Sequence, residues 1–102
     1  MPAPYDQIDY FPLRAFAFEA LAVAGTAVGF TAATIAGARM ATVKVEGAQV
    51  RYRTDGTAPT ATVGTILDVG DSLIVWGSAD VQAILFIRTG GVSATLASEF
   101  SR

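Results

Sequence analysis

The chain has 102 residues, 52% of them apolar and 16% charged, with a formal net charge of −2. That length gives one domain with a core of its own, and a charge content below the ~25% of ordinary soluble domains favours burial against other chains. Seven scattered basic residues make no footprint for nucleic acid, and the absence of cysteine and histidine removes disulfides and the commonest catalytic bases, nucleophiles and transition-metal ligands.

Residues 1–12, "MPAPYDQIDYFP", differ in kind from the rest. Pro2, Pro4 and Pro12 disfavour helix and stiffen an extended path, while Tyr5, Tyr10 and Phe11 supply large apolar faces. A frayed terminus is one reading. The spacing of the aromatics favours the other, an arm that docks on a neighbouring subunit. The opening is acidic and carries no basic stretch ahead of an apolar run, so it does not read as a signal peptide.

Residues 13–102 read as one β-domain. "LRAFAFEALAV" has a period of two, with Phe16 and Phe18 on one face and Ala15 and Ala17 on the other. Its richness in Ala, Leu and Glu leaves Leu13 to Ala24 ambiguous between strand and helix. Ala20 to Ala38 is uncharged and contains Gly25 and Gly29 at the spacing of membrane helix pairs, but Thr26, Thr31, Thr34 and the glycines argue against a membrane span. "TAVGFT" suggests a second short strand, and "TIAGA" a turn. "RMATVKVEG" alternates Val43 and Val45 inward with Lys44 and Glu46 outward, and "AQVRYR" opposes Val50 and Tyr52 to Arg51 and Arg53.

Asp55-Gly56 is a favoured hairpin turn, with a return strand expected from about Ala61. "TVGTILD" and "SLIVWG" then read as a pair separated by Val69 to Asp71, with Trp76 packed at the strand end. "VQAILFIR", apolar on both faces, reads as a strand buried in the middle of a sandwich. "TGG" turns the chain, and "VSATLASEF" closes the domain. About eight short strands at this spacing predict an all-β fold, a single small antiparallel β-sandwich or barrel, jelly-roll-like, with the extended N-terminal arm in front of it.

Little of this sequence can do chemistry. Asp55, Asp68, Asp71 and Asp80 sit at turns, where aspartate commonly bonds nearby backbone amides. A glycosidase pair among them and a calcium site from Asp68, Asp71 and Asp80 are the alternatives, but the spacing is not that of a calcium-binding helix–loop–helix. Gly25, Gly29 and Gly37 lack the spacing and the lysine of a phosphate loop. No enzyme, metal or cofactor is expected. Arg51 and Arg53, two apart on a strand, project from one face. They are either a solvated face or a fork for carboxylates of a partner chain, with Asp55 beside them. The candidate interface residues are therefore Tyr5, Tyr10, Phe11, Arg51, Arg53 and Asp55.

The run "ATVKVEGAQVRYRTDGTAPTATVGTILDVGDSLIVWG", with "FEALAVAGTAVGFTAATI" before it and "ILFIRTGGVSATLASEF" after it, resembles small structural proteins of tailed-bacteriophage virions. The most distinctive part is Arg51 to Thr60, followed by Gly70-Asp71 and Phe86 to Gly90. The resemblance implies a capsid cement or decoration protein on the capsid surface of the virion, made in the cytoplasm of the bacterial host. Its implied partners are the major capsid protein and further copies of itself, in a trimer, with neither nucleic acid nor membrane. A neck, tail or head-fibre component is the nearest alternative. A carbohydrate-binding β-sandwich using Trp76 or surface tyrosines is a rival of another class.

Overall fold

The structure, a computed structural model, describes residues 13–102. They form seven strands and one short helix: β1 (Ala15–Val23), β2 (Met40–Glu46), β3 (Val50–Arg53), β4 (Thr65–Leu67), β5 (Ser72–Trp76), α1 (Ser78–Ala83), β6 (Leu85–Arg88) and β7 (Ala94–Ser101). Two antiparallel sheets result, one of four strands in the order β1-β7-β2-β5, the other of three in the order β4-β3-β6. Neither closes into a barrel. Among the described residues, no helix is long and apolar enough to cross a membrane.

The core lies between the sheets. Alternation places Leu21 and Val23 of β1, Val43 and Val45 of β2, and Leu96 and Phe100 of β7 on the inner face of the larger sheet. Val50, Leu67 and Phe86 answer from the smaller one. Phe86 and Phe100 are fully buried, and Phe30 stands edge-on between them, its ring centroid 5.5 Å from the first and 4.8 Å from the second. Such edge-to-face contacts add about 0.5–1.5 kcal/mol each to the burial itself.

Several expectations change. The ambiguous segment Leu13 to Ala24 is strand, not helix, from Ala15 onward. A bulge between Ala15 and Ala17 resets the alternation, so Phe16 and Phe18 do not share a face. Phe16 packs against the core edge beneath the Arg102 guanidinium, 4.1 Å from its ring centre, and Phe18 is 61% exposed. "TAVGFT" contributes only a single bridge, Val28 to Phe86. "TVGTILD" and "SLIVWG" are not partners: β4 pairs with β3 and β5 with β2, because the turn between them carries the chain from one sheet to the other. In that turn the Asp71 carboxylate accepts the Asp68 N–H at 2.8 Å, and the Asp71 N–H donates to the Asp68 carbonyl at 2.9 Å.

"VQAILFIR" is split rather than continuous. Its first residues belong to α1, with Val81 buried, and β6 begins only at Leu85, at the end of its sheet. Trp76 does end a strand, but it is 59% exposed instead of packed.

Candidate functional site

The arginine hairpin is built from β3, a loop over residues 54–64, and β4. Val50 faces Leu67 and Tyr52 faces Thr65, so the return strand begins at Thr65, later than Ala61. Gly56 has φ 85, as the Asp-Gly turn requires. Tyr52 points inward, its ring 6.2 Å from that of Phe86. The two arginines do not act together. Arg51 donates from Nε to the Ala61 carbonyl at 3.1 Å and from a terminal nitrogen to the Gly64 carbonyl at 2.7 Å, which staples the loop to β3. Arg53 grips Asp55 with two parallel bonds of 3.1 and 2.5 Å.

The Asp55 carboxylate also accepts the Thr57 N–H at 3.1 Å. These hydrogen bonds, first that from Arg53 and then that from Thr57, hold the Asp55 carboxyl below its usual range, and the same bond raises the Arg53 guanidinium. The arginine side chains are thus engaged within their own hairpin. Tyr5, Tyr10 and Phe11 lie outside the described residues.

Three other carboxylates are held by local partners, while Asp80 stands in the first turn of α1. Asp68 accepts Gln49 Nε2 at 2.6 Å, and Asp71 closes its own turn. Glu19 binds the backbone N–H of Thr31 at 3.0 Å and its hydroxyl at 2.7 Å, pinning the long connection between β1 and β2. Among the described residues no three acidic side chains gather where a cation would sit.

A different surface emerges on the outside of the four-stranded sheet. The register places Phe18, Glu99, Thr42 and Ile74 in one row across β1, β7, β2 and β5. The next row holds Ala20, Ala97, Lys44 and Ser72, and Trp76 stands beside Met40 at the corner. Phe18, Ile74 and Trp76 are 61%, 52% and 59% exposed. Between Phe18 and Ile74 runs an open groove walled by these two and Ala97 and edged by Thr42, Lys44 and Glu99. The solvent face of an antiparallel sheet is ordinarily polar; here the row from β1 to β5 begins and ends on large apolar side chains. A second, smaller depression lies around Trp76, with Tyr52, Thr54 and Asp80.

Of these outer-face residues only Trp76 was among the candidates from sequence, and there for sugar binding rather than for docking. The signal lay in "SLIVW": if Leu73 and Val75 face inward, Ile74 and Trp76 must face outward, and a strand apolar on both sides needs cover on both. No family model, no curated protein and no solved structure matches this chain.

Proposed function

We propose that the chain is a non-catalytic assembly protein that docks through the outer face of its four-stranded sheet, and that it serves as a cement or decoration protein on the capsid of a tailed phage. The observation that carries the docking role is the exposure of Phe18 and Ile74 across one groove, with Trp76 exposed at the corner of the same sheet. With each aromatic side chain leaving roughly 90–150 Å² in water, complete burial of either against a partner is worth about 2–4 kcal/mol. The capsid role rests on the resemblance of the sequence to phage structural proteins. A cement protein requires interface area instead of reactive groups, and repetition over many copies multiplies a modest contact.

In this reading residues 1–12 are the extended arm, with Tyr5, Tyr10 and Phe11 as its anchors, and the sandwich is jelly-roll-like. The partners are the major capsid protein and further copies of the chain. The test is co-sedimentation with purified phage heads that lack the protein, followed by heat or osmotic challenge. Saturable binding at many copies per head with increased resistance to rupture is expected. Binding at a few copies per particle moves the assignment to the neck, tail or head fibre, and no binding overturns the phage reading.

One observation favours a second reading. Trp76 is exposed beside Tyr52, Thr54 and Asp80, an aromatic platform with polar neighbours of the kind that stacks on sugar rings. Saturable glycan binding lost in Trp76→Ala, without any head binding, would establish it.

A further inference from the structure

The edge strands of a sandwich are where another chain can add, and three of the four here are blunted. β4 has three residues and β5 five, while β6 has four and is bridged on its open side by Val28. β1 is the exception. It has nine residues and lies at the end of its sheet. Among the described residues, no backbone–backbone hydrogen bond reaches Ala15 to Val23 except from β7. Protected edges carry lysine, proline or inward charges. This strand has none of the first two, and its one charge, Glu19, is spent on Thr31.

We propose that β1 pairs antiparallel with β1 of a second copy, joining two four-stranded sheets into one of eight. A second β1 is self-complementary about a two-fold axis, and the sequence selects the register. The bulge between Ala15 and Ala17 leaves Ala17 to Val23 as the regular stretch, and its centre is Ala20. Pairing about Ala20 sets Ala20 opposite Ala20, Phe18 opposite Ala22, and Glu19 opposite Leu21. A register one pair away would set the two Glu19 carboxylates opposite each other, a repulsive arrangement. On the outer face Ala20 and Ala22 are both exposed and small, leaving room for the Phe18 ring of the partner.

A two-fold pair is a different symmetry from the trimer or similar ring expected of a cement protein, and mass in solution separates the two. The proposal does not depend on the capsid reading. Ile74→Lys, at the opposite end of the sheet, is expected to leave the pair intact even where it abolishes head binding.

The chain lacks cysteine, so single-cysteine variants report proximity cleanly. Ala20→Cys is expected to oxidise to a disulfide-linked dimer, because opposed Cβ atoms lie about 4.5–5.5 Å apart, within a small adjustment of disulfide reach. Ala22→Cys is expected to stay unlinked, its two copies being about 14 Å apart along the strands. Light scattering on the unmodified chain is expected to give twice the monomer mass, returning to the monomer in Ala20→Lys with an unchanged fold by circular dichroism. A monomer or trimer mass, or equal linking of Ala20→Cys and Ala22→Cys, overturns the proposal.

Discussion

Arg51 and Asp55 show how one short loop is held by side chains that the sequence alone presents as free for a partner. The Arg51 guanidinium bonds two loop carbonyls at once, which a single ammonium reproduces poorly. Arg51→Ala is expected to lower stability by about 1–2 kcal/mol in urea unfolding, the cost of leaving those carbonyls with water as their partner. Asp55 acts locally. Its carboxyl is held below the usual range, so the clasp is complete above about pH 4 and is lost as the pH falls through the depressed value. The Thr57 amide resonance is therefore expected to titrate with a midpoint below that of an ordinary aspartate, and an ordinary or raised midpoint would contradict the clasp. Because the pair is exposed, with side-chain accessibilities of 30% and 55%, Asp55→Asn is expected to leave the melting temperature nearly unchanged.

At the scale of elements, alternation was legible wherever a strand has one wet face. β2 shows this, with Val43 and Val45 inward and Lys44 and Glu46 outward. Partnership was less legible, since adjacency along the chain made β4 and β5 look like a hairpin, while the Asp68 to Asp71 turn sends them to different sheets. α1 escaped because six residues are too few to display a helical period. The bulge at the start of β1 has no sequence marker, and it parts Phe16 from Phe18, which the period of two had set on one face, leaving Phe18 in solvent. Arg51, Arg53 and Asp55 were correctly placed in the hairpin, but their hydrogen-bond partners were not readable from spacing.

Two substitutions separate structural elements from surface. Phe86→Ala is expected to cost about 3–5 kcal/mol, as it empties the centre of the core, whereas Phe18→Ser is expected to change stability by less than about 0.5 kcal/mol. Gly64→Ala is expected to destabilise by about 1–3 kcal/mol. Its φ of +136 strains any side chain, and the new Cβ would meet the Tyr52 carbonyl and the Arg51 Cβ at 3.1 Å. Equilibrium unfolding checks all three, and equal losses at Phe18 and Phe86 would contradict the division of faces.

Taken whole, the molecule has a core satisfied between its two sheets and an outer sheet face that is not. Nothing among the described residues covers Phe18, Ile74 and Trp76, and three of the four aspartates that a catalytic reading would use, Asp55, Asp68 and Asp71, are hydrogen-bonded within the hairpin, to Gln49 and within a turn. That division suits a protein whose work is contact with other chains. The N-terminal arm belongs to the same proposal: removing residues 1–12 is expected to abolish attachment to heads while leaving the circular dichroism spectrum of the β-domain intact, and undiminished attachment would remove the arm from the account.

The most direct measurement compares Ile74→Lys with Val92→Lys in co-sedimentation with heads lacking the protein. Both side chains are exposed and apolar, at 52% and 65%, but only Ile74 lies on the outer sheet face; Val92 lies in the turn before β7. Loss of binding in Ile74→Lys with full binding in Val92→Lys is the predicted result. Full binding by both, or loss in Val92→Lys alone, would contradict docking through that face.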